Sequence, residues 1–244
     1  MSARSRQNTV VTGAGEAQPN LALVSCHDAA RTYGAGATAV VAVYGVTCTV
    51  RPGNRIALTG PSGSGKSTLL HLMAGLDTPT SGTLAWPALD GHPLGHPGRV
   101  GVIFQGPSLL PALDVTENVA LPLLLADTPE DEAAQRARDA LDRLAIAELA
   151  NKLPEQLSGG QAQRVAVARV LASRPSLILA DEPTGQLDHQ AGALVLDVLL
   201  QASEELGAAL LVSTHDSLIA DRLPVKWTMR DGRMDAAAST GGVA

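Results

Sequence analysis

The fold is decided at residues 55–68, which read Arg55-Ile56-Ala57-Leu58-Thr59-Gly60-Pro61-Ser62-Gly63-Ser64-Gly65-Lys66-Ser67-Thr68. The first five residues have the pattern of a short buried strand, and a glycine-rich turn follows them. A helical pattern then runs from Lys66 to Leu76. A turn of the form G-x-x-x-x-G-K-[ST] between a strand and a helix is typical of a phosphate-binding loop, or P-loop.

The residue types in this loop suit that chemistry. Glycines let successive backbone N–H groups converge on a phosphate, and the start of the helix adds a partial positive charge. Lys66 can reach the β- and γ-phosphates of a nucleotide, and the Ser67 hydroxyl can bind Mg²⁺. The alternative is a glycine-rich turn beside an ordinary lysine, but chance produces this pattern in such a chain on the order of one time in a hundred. The loop, Gly60 to Thr68, therefore predicts a nucleotide site.

Composition limits the class of protein. The 244 residues include 45% hydrophobic, 17% charged and only 2% aromatic side chains, so aliphatic residues must build the core. This excludes a disordered chain, a collagen and a disulfide scaffold. Because the net charge is −6, no diffuse cationic surface and no nucleic-acid partner are predicted. Cys26 and Cys48 lie in apolar, strand-like surroundings, which favours buried free thiols in a reducing compartment.

Strands and helices alternate along the rest of the chain. Short apolar strands are predicted at Val100 to Phe104, Leu177 to Ala180 and Leu210 to Ser213. Helices are predicted from Ala191 to Leu206 and after Pro129, where three acidic residues form a first turn. In the second of these helices apolar residues recur at spacings of three and four: Ala133, Ala137, Leu141 and Leu144. The alternation indicates one α/β domain with a largely parallel sheet, whose ligands bind at the carboxyl ends of the strands.

The chain ends and one uncharged stretch bear on location. Residues 1–20 and 235–244 are rich in small and polar residues and are expected to be flexible. The stretch from Tyr33 to Val50 has no charge, but it lacks Leu and Ile and contains three glycines, so we predict loop and strand rather than a membrane span. No apolar run follows Arg4 and Arg6, so no signal peptide is predicted. A cytoplasmic chain that reaches a membrane only through a partner is expected.

Two adjacent acids end the apolar strand at residues 177–180. Asp181 and Glu182 stand where the chain turns, so both carboxylates can face the crevice at the end of the strand. Asp181 is positioned to bind Mg²⁺, directly or through water. Glu182 is then free to orient and polarise an attacking water as general base. Two exposed acids in an acidic protein are the alternative, which the neighbouring P-loop disfavours.

A second glycine pair opens the helix that runs to Leu171. Ser158 and Gln161 enclose Gly159 and Gly160 in a capping-box pattern, so a purely structural helix start is a real alternative. Two glycines in the first turn lower helix propensity, however, and expose N–H groups to an anion. One nucleotide has one γ-phosphate, which the P-loop already binds. This second site is therefore expected to face the nucleotide of another subunit.

In this order, the motifs resemble those of one family, the ATP-binding subunits of ATP-binding-cassette (ABC) transporters, over roughly residues 21–234. The matching motifs are the P-loop (Walker A), Phe104-Gln105 (Q-loop), Leu157 to Gln161 (signature), Leu177 to Pro183 (Walker B), Gln186-Leu187-Asp188 (D-loop) and Ser213 to Asp216 (switch histidine). The resemblance implies an ABC-type α/β P-loop NTPase with a mixed sheet core, a small antiparallel β subdomain and a helical subdomain at about residues 106–174. It also implies ATP and Mg²⁺ as cofactors and ATP hydrolysis as the activity.

The resemblance implies roles for single residues of the nucleotide site. Gln105 would sense Mg²⁺ and the attacking water, and with Ser67 and Asp181 it completes the expected metal set. His215 would hydrogen-bond the γ-phosphate or hold the geometry of the general base and its water. Tyr33 stands where the family has an aromatic residue that stacks on adenine, and Tyr44 is the less favoured candidate.

The resemblance also implies a dimer. Two copies of the chain, or this chain and a similar one, would enclose two ATP·Mg²⁺ between the P-loop of one and the signature of the other. Asp188 would communicate across this dimer, with a cap for the following helix as the alternative. Gln186 replaces the usual Asn or Ser of the D-loop, which leaves details of this communication open. The span from Ala85 to Gly98, with three prolines, departs from the family by being shortened to a loop.

Residues 67–82 and 109–123 resemble a narrower group that includes lipoprotein-releasing (LolD), macrolide-exporting (MacB) and cell-division (FtsE) ATPases. This resemblance implies an integral-membrane permease of the FtsX/MacB type as partner, at the cytoplasmic face of the membrane. The apolar, proline-punctuated character of the second stretch suits a groove for a helix of that permease. An FtsE-like regulatory ATPase, which transmits force to a membrane partner without transport, is the alternative function.

Overall fold

The computed structural model describes residues 21–89 and 91–235. Within these ranges the strands are β1 (Val24–Tyr33), β2 (Val40–Val50), β3 (Arg55–Thr59), β4 (Ser81–Ala85), β5 (Val100–Ile103), β6 (Leu177–Asp181), β7 (Ala209–Ser213), β8 (Val225–Arg230) and β9 (Arg233–Met234). The α-helices are α1 (Lys66–Met73), α2 (Val115–Leu124), α3 (Glu130–Arg143), α4 (Gly159–Ala172), α5 (His189–Leu206) and α6 (Ser217–Ala220). The expected flexibility of residues 1–20 and 236–244 concerns residues outside the described ranges.

The central sheet has the strand order β5-β6-β7-β3-β8-β9. All pairings among β5, β6, β7, β3 and β8 are parallel, and only β9 runs antiparallel, against β8. Carboxyl ends of parallel strands meet at one edge of a sheet, so the residues after β3, β5, β6 and β7 are brought together. The predicted fold class, an α/β P-loop protein with a mixed sheet, is confirmed.

The core lies on both faces of this sheet. Along β6, Ile178 and Ala180 pack with helices α2 to α5, whereas Leu177 and Leu179 pack with α1 and the strands of the smaller sheet. All four side chains are fully buried, as the period of two along a strand requires when both faces are covered. The helices supply mostly Ala, Val and Leu, which accords with the low aromatic content.

A smaller antiparallel sheet has the order β2-β1-β4. The uncharged stretch from Tyr33 to Val50 forms the end of β1, a 3₁₀ turn at Gly36–Thr38 and strand β2, as the sequence predicts. Cys26 and Cys48 pair directly across β1 and β2, and both are free and buried. The contact with Cys26 and burial raise the pKa of the Cys48 thiol well above its ordinary value.

Helices α2, α3 and α4 lie between β5 and β6 in the chain and pack together on one side of the core. The apolar residues predicted for α3 at spacings of three and four, Ala133, Ala137, Leu141 and Leu144, are all fully buried. Helix α2 begins only at Val115, because Asp114 and Glu117 form a capping box that fixes its start. The extent of a separate helical subdomain at about 106–174 stays a prediction.

Two helix boundaries differ from the sequence pattern by a few residues. Helix α1 ends at Met73 instead of Leu76, since Gly75 has a φ of +70° and stops the helix. Helix α5 begins at His189 because the Asp188 carboxylate accepts a hydrogen bond from the Ala191 N–H at 2.8 Å. The described part of the span 85–98 contains two short 3₁₀ turns, at Pro87–Leu89 and Pro93–Gly95. None of the helices described is both long enough and apolar enough to cross a membrane.

Candidate nucleotide site

Glycine is required in the P-loop by close backbone approaches. A Cβ on Gly65 would lie 2.1 Å from the carbonyl oxygen of Ala42, and one on Gly60 would lie 2.2 Å from that of Met229. Both glycines also have positive φ, +100° and +144°, which other residues rarely adopt. Strand β3 ends directly before this turn, and helix α1 begins directly after it at Lys66. The loop is therefore held against β2 and β8 and forms a concave backbone surface at the start of a helix.

A cavity of about 510 Å³ opens beside this loop. The residues that line it are Val40, Val41, Ala42, Ser62, Gly63, Gly65, Lys66, Ser67, Thr68, Gln105, Glu182 and His215. Gln105, Glu182 and His215, which are distant in sequence, are thus brought to the P-loop. Sequence reasoning missed Val40, Val41 and Ala42, whose only signal is an apolar run beside glycines. Gly60, Pro61 and Ser64 belong to the loop but lie outside the lining.

Lys66 is 5% exposed, and the loop itself supplies hydrogen-bond acceptors for its ammonium group. Its Nζ donates hydrogen bonds to the carbonyl oxygens of Gly60 at 2.9 Å and Pro61 at 3.0 Å. Next to it the hydroxyl of Ser64 is buried without a hydrogen-bond partner among the described residues. Lys66 and Ser67 thus stand at the first turn of α1, where both can face an anion in the cavity.

The two acids after β6 have different environments. Asp181 is 6% exposed, and its Oδ1 accepts a hydrogen bond from the Ser213 hydroxyl on the adjacent strand β7 at 2.5 Å. Glu182 lines the cavity instead, with a backbone φ of +46° and an N–H that donates to Ser213. Its Oε2 lies 3.2 Å from Nδ1 of His215, which follows β7. This geometry separates one buried carboxylate from one that faces the cavity beside an imidazole.

Oxygen donors suited to Mg²⁺ converge at this end of the cavity. The Ser67 hydroxyl and the Gln105 amide line it, whereas Asp181, at the end of β6, lies outside the lining and accepts the hydrogen bond from Ser213. Hydroxyl, amide and carboxylate oxygens are the ligands that Mg²⁺ takes, usually together with substrate phosphates and water. Across residues 21–89 and 91–235, no group of three or more His, Cys, Asp or Glu side chains is placed to hold a metal alone.

The glycine pair at the start of α4 lies outside the lining of this cavity. Ser158 and Gln161 form the predicted capping box: the Ser158 N–H donates to Oε1 of Gln161 at 2.9 Å, and the Gln161 N–H donates to the Ser158 hydroxyl at 3.2 Å. A Cβ on Gly160 would lie 3.2 Å from Cδ2 of Leu187, so this helix start packs against the segment that ends at Asp188. The structural alternative for both motifs, capping of α4 and of α5, is thus present, and a further role for either stays a prediction.

Both tyrosines considered for adenine stacking carry an arginine on one ring face. Tyr33 ends β1 opposite Val40, which lines the cavity, and the Arg31 guanidinium lies 4.7 Å from its ring centroid. Its hydroxyl donates to Asp77 at 2.7 Å, and Arg31 binds the same carboxylate through two nitrogens. The guanidinium of Arg233 lies 3.8 Å from the ring centroid of Tyr44. Neither tyrosine lines the cavity itself, and adenine stacking by Tyr33 stays a prediction.

Comparison with known proteins agrees with this geometry. A family model described as "ABC transporter" matches residues 43–185. The lipoprotein-releasing system ATP-binding protein LolD of Pseudomonas fluorescens is 39% identical over 222 residues, which cover 88% of this chain and 98% of that protein. LolD of Shewanella frigidimarina is 38% identical over 230 residues, which cover 91% of this chain and 96% of that protein.

Solved structures of the same family superpose on the chain. The dimeric ATP-binding cassette MJ0796, in a post-hydrolysis state bound to ADP and Pi, has a TM-score of 0.79 and 34% identity. The match covers 87% of this chain and 97% of that one. The protein cbiO1 of Clostridium perfringens, part of the transporter complex cbiONQ, has a TM-score of 0.74 and 29% identity, with 88% and 87% covered.

The fold and the cavity define an ATP-binding P-loop protein of the α/β class. The chain belongs to the ABC transporter family, in which it is an ATP-binding subunit with LolD proteins among its relatives. The predicted family and narrower group are both confirmed.

Proposed function

We propose that this chain hydrolyses ATP with Mg²⁺ and, as a dimer, powers a membrane permease of the lipoprotein-release type. The observation that carries the proposal is the convergence of Lys66, Gln105, Glu182 and His215 on one cavity beside a P-loop. These residues come from four separate parts of the chain, and only the parallel sheet brings them to one edge. LolD relatives that match over most of both chains favour this kind of transporter.

The P-loop binds the triphosphate of ATP. Its N–H groups surround the phosphates at the start of α1, and Lys66 supplies the cation for the β- and γ-phosphates. Ser67, Gln105 and Asp181 would hold Mg²⁺, which when bound neutralises charge on the phosphate oxygens. Val40 and Val41 offer apolar contact to the nucleotide beyond the phosphates, and Tyr33 extends this surface.

Glu182 acts as the general base. Its carboxylate faces the cavity, and its backbone is fixed by bonds from its N–H to the Ser213 carbonyl and hydroxyl. A water between this carboxylate and the γ-phosphate is oriented and gives up a proton to Glu182 as its oxygen bonds to phosphorus. The bond from phosphorus to the β,γ-bridging oxygen breaks, so ADP and phosphate leave. His215, whose Nδ1 lies 3.2 Å from Oε2 and which also lines the cavity, holds the carboxylate in place.

Two chains complete the site that one chain leaves open. The glycines at the start of α4 lie outside the cavity and are partly exposed, so they suit the γ-phosphate of a nucleotide held by another copy. Ser158 and Gly160 would then gain contacts only while a γ-phosphate is present, which is the difference needed to shift a population toward the closed dimer. Hydrolysis removes those contacts and opens the dimer.

The partner is proposed as an integral-membrane permease, and the FtsX/MacB type is the one that the group resemblance implies. Exposed apolar side chains follow Gln105 along the chain toward α2 and its end, including Leu110, Leu124 and Leu125. This surface suits an amphipathic helix of the permease. The chain would then act at the cytoplasmic face of the membrane through that partner.

Replacement of Glu182 by Gln tests the proposed chemistry. We expect the Glu182→Gln variant to bind ATP with unchanged affinity and to hydrolyse it at least about a hundredfold more slowly, because the base is lost while the shape is kept. It should also accumulate as an ATP-dependent dimer in size-exclusion chromatography. Glu148→Gln, at an exposed glutamate, is the control. Ordinary phosphate release by Glu182→Gln would refute the assignment, and ATP affinity unaffected by Lys66→Ala would refute the nucleotide site.

A further inference from the structure

Helix α4 holds the segment that carries Gln105 at two points. Gln105 follows β5 and lines the cavity. On its N-terminal side, the Gln163 side chain donates from Nε2 to the carbonyl of Phe104 at 3.1 Å. On its C-terminal side, the Arg169 guanidinium donates to the carbonyl oxygens of residues 107 and 108 at 3.3 and 2.9 Å. Two side chains of one helix thus fix the backbone before and after Gln105.

A third contact joins the face of α4 that carries Gln163 to β5, the strand that leads into this segment. A Cβ on Gly101 would lie 2.3 Å from Cγ1 of Val170, so α4 lies directly against β5. Gln163 and Val170 are about two helical turns apart and therefore lie on one face of the helix. The ring of Phe104 meets His71 of α1 with a centroid distance of 5.8 Å. The start of the Gln105 segment is thus held between α4 and the helix of the P-loop.

The chemistry of these two side chains is not what core packing alone would select. Gln163 is 1% exposed, and its Oε1 has no hydrogen-bond partner among the described residues. A leucine would fill the same space without leaving a buried oxygen unpaired. Burial likewise lowers the pKa of Arg169, so its charge is kept in a partly desolvated place. In both cases burial disfavours the polar side chain, and that same side chain binds the Gln105 segment.

We infer that Gln163 and Arg169 are positioning residues for the nucleotide site, which they serve by holding the Gln105 amide at the metal and phosphate end of the cavity. The inference rests on the proposed function, in which Gln105 contributes to Mg²⁺ binding. Ser158 and Gly160 lie at the start of the same helix, two turns or less before Gln163. Helix α4 therefore connects Ser158 and Gly160, which are proposed to contact a second copy, with Gln105, which is proposed to contact the metal.

The test measures binding without turnover. In a Glu182→Gln background, the affinity for the fluorescent nucleotide mant-ATP is measured with excess Mg²⁺ and with EDTA, and the ratio of the two affinities is the Mg²⁺ effect. We expect Gln163→Leu and Arg169→Met each to reduce this ratio about tenfold, the size of one lost contact to a charged group. Affinity in EDTA should change less than about twofold, since the P-loop is untouched.

Arg164→Met is the matched control. Arg164 lies on α4 as well and its guanidinium also donates to backbone carbonyls, but those belong to Leu144 and Ala145, far along the chain from Gln105. This variant should keep the full Mg²⁺ effect. Arg169→Lys, which keeps the charge and most of the stem, provides a folded intermediate case if Arg169→Met is unstable, and should lose part of the effect because one ammonium cannot match the forked guanidinium.

The Gln105→Ala variant distinguishes the proposed role of Gln105 from the positioning role of Gln163 and Arg169. If it leaves the Mg²⁺ effect unchanged, the proposed role of Gln105 is wrong and the inference is overturned with it. If Gln105→Ala abolishes the effect but Gln163→Leu and Arg169→Met behave like Arg164→Met, the inference alone is overturned and the proposed function stands. If the inference is right, adding Arg169→Met to Gln105→Ala causes no further loss, which is the non-additivity expected of residues that act as a unit.

Discussion

Removal of the amide at Asn118 should destabilise the region between the Gln105 segment and helix α2. Asn118 lies in α2 and is fully buried. Its Oδ1 accepts a hydrogen bond from the Leu110 N–H at 2.8 Å. Its Nδ2 lies 3.1, 2.9 and 3.0 Å from the carbonyl oxygens of Leu110, Leu113 and Asp114. One side chain thus replaces the secondary structure that residues 110–114 lack.

The magnitude follows from these contacts. The amide has one acceptor and two hydrogens, so it makes the equivalent of three hydrogen bonds, each with a net value of about 1 kcal/mol. We expect Asn118→Ala to lower the free energy of unfolding by about 3 kcal/mol. Asn118→Asp should cost more at neutral pH, because a carboxylate can still accept from Leu110 but faces three carbonyl oxygens that it cannot bind.

The free energy of unfolding of both variants is measured by urea unfolding followed by circular dichroism at 222 nm, which reports the loss of helix. Asn151→Ala, at an exposed asparagine, serves as the control and should change stability by less than about 0.5 kcal/mol. A loss for Asn118→Ala no larger than that of the control would show that water or neighbouring groups replace the amide, and the reasoning from buried hydrogen bonds would fail.

Two further predictions concern packing and charge. Gly101→Ala should destabilise the chain by about 1–3 kcal/mol, because its Cβ would lie 2.3 Å from Val170, and adding Val170→Ala should restore part of the loss in urea unfolding. No recovery in the double variant would contradict the contact. For Asp77, partial burial alone would raise its pKa, but hydrogen bonds from Tyr33 and Thr78 and the charge of Arg31 outweigh it and lower the pKa below its ordinary value. Asp77 therefore stabilises the folded chain at pH values above its unfolded-state pKa of about 3.9, and this contribution is lost as the pH falls through the lower folded-state pKa. The Tm difference between the wild type and Asp77→Asn should be constant from neutral pH down to about pH 5 and shrink below about pH 4, whereas exposed Asp142→Asn should show no such pattern. A difference that grew on acidification would contradict the sign.

Much of the candidate site could be predicted because most of its functional residues lie in short contiguous motifs. The P-loop, the acids at 181–182 and the capping box at Ser158 each need only local spacing, and a parallel sheet then brings strand ends together without further information. For the same reason the fold class followed from alternating strands and helices. His215 and Gln105 were assigned from the family resemblance, and the structure places both in the cavity lining.

Contacts between distant residues were not predictable in this way. The hydrogen bonds from Arg31 and Tyr33 to Asp77 join residues more than forty positions apart, and no periodicity in the sequence predicts them. The bond from Gln163 to Phe104 spans a similar gap, and a glutamine inside an apolar helix gives no hint of its acceptor. The start of α5 was predicted two residues late, at Ala191, because the apolar pattern begins after the first turn that the Asp188 cap sets.

The cross-strand pair of Cys26 and Cys48 has a practical consequence for watching this molecule work. Both thiols are shielded, at 3% and 4% exposure, and the raised pKa of Cys48 keeps it in the unreactive protonated form at neutral pH. A maleimide probe should therefore leave them untouched, so a single cysteine introduced on the surface can be labelled without removing the native ones. Spin or fluorescence labels placed near the start of α4 would then report the approach of two copies in an otherwise unaltered chain.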